Sequence, residues 1–499
     1  TGILKVRVLD AESNTTTHSR IHLSAADGKL YAPNETYARV SGRGDPMFHT
    51  EGLFELRLPV GEVTLNAVKG FEYYPQTVSA EVESDSVVSL TVSLERMEDM
   101  AAKGWYSAST HVHSNYGGNL HNTLENLVMM SRAEDQDLVL EQVANKDNRI
   151  LDYQYFVPGG GAHPLSSEDQ IVVVGQESRP PFYGHVFMFG LRDHLISPFV
   201  TGYEGTAVES LYPSNTDMFI KAKQQGATTG YVHAFGGEND PLQGNLGGGK
   251  GFMVDAALGT TDALEWSDAS RAGFYPLYAA WNNGLHVTAT GGEDSISSLH
   301  QSKLVGSVRT YVYTGNQGLN MEAWFDGLRR GRAFVSSGPL LEMQIGDALP
   351  GDTVQLPAAG GTVTVTGRLR SVTDLSEVLL VCNGQTVENF PLRRNRNSLD
   401  ISYDLAVPNS GWCHLRTEGE PGDRFPFDVA YTQALTNPVW LQVGDEVVRN
   451  RQAAEYGIAW IDKLEQLADA WPGWRSEREK AHVFGQFEQA RQVYRQNLP

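Results

Sequence analysis

Along the first stretch of the chain, apolar and polar residues alternate. In Ile3-Leu4-Lys5-Val6-Arg7-Val8-Leu9, Leu53-Phe54-Glu55-Leu56-Arg57-Leu58 and Val87-Val88-Ser89-Leu90-Thr91-Val92 every second side chain falls on one face, the period of a half-buried strand. Turn signals at Asp27-Gly28 and Pro59-Val60-Gly61 separate such runs, so residues 1–98 predict an N-terminal β-sandwich. Over 104–338 the runs become continuously apolar: Asp137-Leu138-Val139-Leu140, Gln170-Ile171-Val172-Val173-Val174-Gly175, His185-Val186-Phe187-Met188-Phe189, Thr229-Gly230-Tyr231-Val232-His233, Ala263-Leu264-Glu265-Trp266 and His286-Val287-Thr288-Ala289-Thr290. Helical stretches at 123–134 and 215–225 lie between them, and this alternation predicts a parallel sheet closed as a β/α barrel. Alternation returns over 340–447, in Gly361-Thr362-Val363-Thr364-Val365-Thr366 and Val378-Leu379-Leu380-Val381, and predicts a second sandwich. The tail, 450–499, reads as helical, with Ile458, Ile461, Leu464 and Leu467 as a docking stripe and Ser476 with Glu479 as a capping box. The expected class is thus multidomain α/β plus β.

Composition agrees with several domains and narrows the partners. A chain of 499 residues exceeds one ordinary core, and 51 Gly with 22 Pro favour many turns. Sixty acidic against 39 basic residues give a net charge of -21, which repels phosphate backbones and anionic headgroups. Neither nucleic acid nor membrane is therefore expected as a partner; a small-molecule substrate is. No apolar run is long enough to span a bilayer. The chain starts at Thr1 rather than Met, which predicts a removed leader and a periplasmic or extracellular location. Cys382 and Cys413 are either one bridge between neighbouring strands or two half-buried thiols.

Candidate chemistry centres on Ser109-Thr110-His111-Val112-His113-Ser114. Two imidazoles two residues apart on a strand share a face and suit one metal ion. Further ligand types recur where later apolar runs end: Glu177 after Val174-Gly175-Gln176, His185 before Val186, His233 after Val232, and Asp294 after Gly291-Gly292-Glu293. Barrel active sites are built at such strand ends. Near them, Tyr183 is a candidate oxyanion donor, Lys146 and His121 are candidates to stabilise or protonate a leaving group, and Asp268 is a candidate to orient a ligand histidine. No Gly-x-Ser-x-Gly elbow occurs, and Gly247-Gly248-Gly249-Lys250-Gly251 lacks Walker spacing and predicts a mobile loop.

The stretches His111-Val112-His113-Ser114-Asn115-Tyr116-Gly117-Gly118, Val143-Ala144-Asn145-Lys146-Asp147, Tyr183-Gly184-His185 and Thr290-Gly291-Gly292-Glu293-Asp294 resemble the polymerase and histidinol phosphatase (PHP) superfamily, in particular its CehA/McbA branch of carbaryl-hydrolase-like proteins. Gly52 to Gly61 resembles the carboxypeptidase-regulatory-like modules of secreted enzymes. The PHP resemblance implies a distorted (β/α)7 barrel holding up to three metals. Carried over, it implies one metal on His111, His113, Glu177 and Asp294, and a second on His185 and His233 with Glu177 shared. Where many members have Asp-His, this chain has Asn145-Lys146-Asp147-Asn148; where many have Asp-x-His, it has Asp294-Ser295-Ile296. Two divalent ions are therefore expected, Zn first, with Mn or Fe as alternatives.

Two metals sharing a carboxylate imply a hydrolase that uses a bridging hydroxide, with Asp294 among the groups at the reacting centre. The resemblance implies a carboxylic ester or carbamate substrate. A PHP-type phosphoesterase is the alternative, with Lys146 and Arg179 the available cations. A metal-stabilised binding protein without activity is the competing class, although three protein ligands on the second ion leave room for water.

Overall fold

In the computed structural model, which describes residues 1–36, 38–117, 121–146 and 149–498, the alternating N-terminal runs are strands with their apolar side chains turned inward. Gly2–Asp10 buries Leu4, Val6 and Val8 and leaves Lys5 and Arg7 in solvent. It pairs antiparallel with Leu53–Leu58 and parallel with Val87–Leu94. A second sheet holds Arg39–Val40, Pro46–Thr50, Ser19–Ser24, Gly61–Val68 and Gln76–Val82. Side chains of both sheets, Leu4 and Val6 with Ile21, Phe48 and Leu65, share one core.

The next strand, Trp105–His113, is buried almost end to end, because its sheet is covered on both faces. It pairs parallel with Leu138–Lys146, which pairs parallel with Ile171–Ser178. The ladder continues through Val186–Phe189, Thr228–Tyr231, Ala263–Trp266 and Thr288–Gly291. Ser295–Ile296 then pairs parallel with Trp105–His113, where the ladder began. The expectation of a parallel sheet is corrected at one strand: Val186–Phe189 runs antiparallel to both neighbours. Only 179–185 separate it from Ile171–Ser178, and a crossover between parallel strands takes about a dozen residues or more. Seven α-helices occur among the described residues, so the chain is mixed α/β with extensive additional β-structure.

Ala333–Ser336 pairs antiparallel with Gln433–Thr436, so the sheet passes without a break into the C-terminal strands. There Leu340–Ile345, Gly361–Arg370 and Ser398–Val407 form a further sheet over a core containing Leu341, Val365, Leu380 and Leu415. Cys382 and Cys413 face one another on antiparallel neighbours and are bridged, which decides between the two readings of the cysteines.

The tail forms helices Arg451–Asp469 and Glu477–Arg495, packed on Phe252–Leu258 and Phe274–Asn282. Ile461 and Leu464 are buried, with Ile458 and Leu467 packed at their edge, so the apolar stripe is a docking face. Half of the expected capping box forms: the Ser476 hydroxyl accepts from the Glu479 N–H at 3.2 Å. The Glu479 carboxylate accepts instead from the Ser210 hydroxyl at 2.7 Å, and so ties the tail to the 200–212 loop. No helix among the described residues is long and apolar enough to cross a membrane.

Candidate metal centre

Strand pairing brings the ligand-type residues together. His111 and His113 close Trp105–His113, and Glu177 lies near the end of Ile171–Ser178. His185 immediately precedes Val186–Phe189, His233 follows Thr228–Tyr231, and the Asp294 N–H donates to the His111 carbonyl at 3.0 Å. Three overlapping groups result, His111–His113–Glu177, Glu177–His185–His233 and His111–His233–Asp294, each with ligand atoms within 4.8 Å of one another.

Glu177 sits in the middle. Its Oε2 is 3.3 Å from His113 Nε2, and its Oε1 is 3.0 Å from His185 Nδ1, 3.7 Å from His111 Nε2 and 3.7 Å from His233 Nε2. Asp294 Oδ1 lies 3.4 Å from His111 Nε2 and 3.6 Å from His113 Nε2. Exposure shows where the cluster opens: the side chains of His185, His233 and Asp294 are 21, 28 and 31 % exposed, whereas His111, His113 and Glu177 are at most 1 %. His233 (φ 33°) and Asp294 (φ 60°) both adopt left-handed backbone, uncommon for residues with a Cβ and concentrated at functional sites.

The outer ring nitrogens fix which lone pairs point inward. His113 Nδ1 is 2.9 Å from the Gln142 carbonyl oxygen, which can only accept, so Nδ1 donates there and Nε2 is turned into the cluster. That Nε2 lies 3.2 Å from His111 Nε2. His111 Nδ1 faces Glu265 Oε1 at 3.1 Å, and Glu265 Oε2 accepts from the Thr110 hydroxyl at 2.6 Å. Ring nitrogens and carboxylate oxygens therefore converge in the interior, and Glu177 Oε2 is buried without a hydrogen-bond partner. Burial opposes charge on His111, but Asp294, Glu265 and Glu177 outweigh it and hold the imidazole well above its ordinary pKa. Burial likewise opposes a charged Glu177, but His111 and the donors around it hold the carboxyl well below its ordinary pKa. The donor set, imidazoles with carboxylates around an undonated oxygen, fits divalent cations.

Glu265 is the orienting residue that sequence reasoning missed. Asp268 had been expected in that role, but it pairs with Arg43 and accepts from the Ala430 N–H. The two acids share one segment; Glu265 lies inside the strand Ala263–Trp266, whose register directs it at Thr110 and His111, whereas Asp268 lies beyond it. Gly292 permits this approach, since a Cβ there would lie 2.6 Å from both Glu265 Oε2 and the His111 nitrogen.

Other expectations are corrected. The Tyr183 hydroxyl is buried and donates to the Leu211 carbonyl at 2.8 Å, so it is directed away from the cluster and unavailable to an oxyanion. His121 is exposed and lines a small hollow with Arg39 and His300 that none of the cluster's ligand residues borders. The segment 247–251 is a fixed buttress: the Gly248 N–H donates to Ala234 O at 2.9 Å and the Gly251 N–H to Tyr183 O at 3.0 Å. Gly184 (φ +112°) lets it approach, because a Cβ there would lie 2.2 Å from Gly248 O. Trp460 Nε1–H donates to Lys250 O at 2.8 Å, so the helical tail supports the loop that backs His185 and His233.

Lys146 and Arg179 do lie beside the cluster, on the ring of Tyr116, with Lys146 Nζ 5.5 Å and the Arg179 guanidinium carbon 4.5 Å from its centroid. Tyr116 stacks on His113 at 5.0 Å, and Arg179 Nε lies 3.4 Å from Glu177 Oε2. Gly118, Asp147 and Asn148 of the motifs quoted above lie outside the described residues.

No protein-family model and no curated protein matches the chain. Among solved structures, PsfC from Pseudomonas syringae PB-5123 is 16 % identical, with 43 % of this chain and 84 % of that one covered and a TM-score of 0.29. The lesion-specific endonuclease PfuEndoQ from Pyrococcus furiosus is 12 % identical over 46 % of this chain and 56 % of its own, with a TM-score of 0.26. Scores this low carry no inference about fold or function.

Proposed function

We propose that this protein is a metal-dependent hydrolase whose centre is the cluster around Glu177. The observation that carries the reading is the convergence of His111, His113, His185, His233 and Asp294 on Glu177, one of whose carboxylate oxygens is buried without a hydrogen-bond partner. Imidazole nitrogens and carboxylate oxygens gathered this closely are the ligand types that hold divalent cations. On this reading His111, His113, Glu177 and Asp294 hold one divalent ion, and Glu177, His185 and His233 a second. Bound there, divalent cations supply Lewis-acid polarisation and activation of water. The surrounding residues do the rest. Glu265 and the Gln142 carbonyl fix the two ring orientations, the half-exposed His185, His233 and Asp294 border the side from which substrate enters, and Arg179 with Lys146 places positive charge at the rim.

The run of pairings from Trp105–His113 back to itself supports a distorted barrel of the PHP type, and the sequence resemblance supports the CehA/McbA branch. The substrate proposed is a carboxylic ester or carbamate. Arg179 and Lys146 favour a phosphoester as the second reading. The Cys382–Cys413 disulfide supports an exported location. Initial rates on nitrophenyl acetate, N-methylcarbamate, phosphate monoester and phosphate diester, with and without chelation, test the proposal. Chelator-sensitive turnover of the first two is expected. Turnover of the phosphates alone transfers the protein to the second reading, and turnover insensitive to chelation contradicts both.

A further inference from the structure

Away from the metal cluster, the helix Phe274–Asn282, the turn 383–385 and the first turns of Arg451–Asp469 enclose a groove of about 880 Å³. None of the cluster's ligands lines it. Arg416, from the strand Gly411–Gly419, reaches its floor, with the guanidinium carbon 4.9 Å from the centre of the Phe274 ring. Its Nε is buried and makes no hydrogen bond. Glu418, two residues on along the same face, is engaged by Arg271 Nε at 3.1 Å and by Gln433 Nε2 at 3.2 Å. The acids on the opposite wall are also occupied: Glu238 lies 3.6 Å from Arg271, and Asp240 accepts from the Tyr456 hydroxyl at 2.7 Å. Among the described residues Arg416 thus has no carboxylate partner, in a chain with 60 acidic residues against 39 basic ones. Partial burial of a guanidinium without a carboxylate partner costs free energy that the Phe274 ring and the Tyr278 hydroxyl beside it offset only in part.

We infer that this groove is a binding site for a ligand carrying a carboxylate on a ring. The planar guanidinium matches a carboxylate's two oxygens, which would supply the missing acceptor. Beside it, Tyr275 is 46 % exposed and offers an aromatic face for the ring. Asn282, Gln385 and Gln452 line the remainder and can donate to or accept from ring substituents. The site is built in advance. The Cys382–Cys413 bridge closes the base of the 383–385 turn, and Asn383 Oδ1 accepts from the Trp412 N–H at 3.0 Å, so that wall requires little ordering on binding. The inference stands apart from the hydrolase reading, since it involves none of the same side chains.

Calorimetric titration of the full chain with D-glucuronate and with benzoate separates a sugar acid from an aromatic acid; methyl glucoside and benzyl alcohol are the neutral controls. One of the two acids is expected to bind at least ~10-fold more tightly than its neutral control, the scale of one charge-assisted pair. Arg416→Gln is expected to remove that preference while nitrophenyl-ester turnover stays as in the wild type. Tyr275→Ala, at the exposed rim and outside the core, is expected to weaken the same acid several-fold through loss of the ring contact, with an unchanged melting temperature. Absence of binding by both acids overturns the inference. So does acid binding that survives Arg416→Gln, which seats the carboxylate elsewhere, the metal cluster included.

Discussion

Two buried clusters of histidine and carboxylate in this molecule have opposite characters. Where the N-terminal strands meet the central sheet, Arg20 Nε donates to Glu134 Oε1 at 2.8 Å, and His49 Nε2 lies 2.9 Å from the same oxygen. Arg20 Nη1 donates to His22 Nε2 at 2.7 Å, while His22 Nδ1 donates to Pro46 O at 2.8 Å. Each of these nitrogens meets a complementary oxygen or lone pair. Burial, with Arg20 adding to it, pushes the His22 pKa down to about 3 and keeps the ring neutral. Burial works against charge on Glu134 too, but Arg20 and His49 outweigh it and lower that carboxyl to about 2. Around Glu177 the imidazoles and carboxylates are the same residue types, but four histidines and Asp294 converge on one carboxylate whose Oε2 makes no hydrogen bond, with Arg179 only at its edge. The first cluster holds two parts of the fold together; the second gathers the ligand types that the proposed metal centre requires.

The comparison can be broken first at the cluster. His233→Ala is expected to lose about one metal per chain and nearly all turnover, as the two-metal arrangement requires, with little change in melting temperature; metal analysis beside steady-state rates checks this. Glu134→Ala should do the reverse. It leaves Arg20 buried without its carboxylate, which costs about 3–5 kcal/mol, and leaves metal content intact, as urea unfolding and metal analysis will report. Glu265→Gln tests the intermediate case of an orienting residue and is expected to weaken metal binding by about 10–100-fold without unfolding the protein, read by competition with a chelating dye.

The smallest effect concerns Asp137, at the far end of the ligand-bearing strands, whose Oδ2 accepts from the Ser107 N–H at 2.6 Å. Burial, with Asp135 adding to it, pushes its carboxyl up to about 7 from 3.8. The folded chain therefore holds this proton more tightly than the unfolded chain. Its contribution to stability is full below about pH 4, declines as pH rises towards 7, and is lost above that. Asp137→Asn should flatten the fall in unfolding free energy over that window; an identical slope in the variant counts against the assignment.

Much of the site was legible because strand ends are legible. His111 and His113 share a face through the two-residue period, and Glu177, His185, His233 and Asp294 each flank an apolar run, so naming the runs named the residues. What depended on register was not legible. Glu265 and Asp268 are equivalent in the sequence, and only the pairing of Ala263–Trp266 with Thr288–Gly291, Glu265 opposite Thr290, selects the one that reaches His111. The direction of Tyr183 is set by the turn at Gly184 and by a glycine-rich segment more than 60 residues later, which periodicity does not encode. Likewise the antiparallel Val186–Phe189 follows from loop length rather than from its apolar pattern.

The central claim is tested most directly by the metal content of the purified full chain after removal of metal by chelation and reloading with Zn, Mn or Fe, compared with His233→Ala treated in the same way. The account predicts about two equivalents in the wild type, about one in the variant, and recovery of hydrolysis only in the reloaded wild type. A wild-type chain that takes up no metal above trace, or a variant with the same stoichiometry as the wild type, would contradict it.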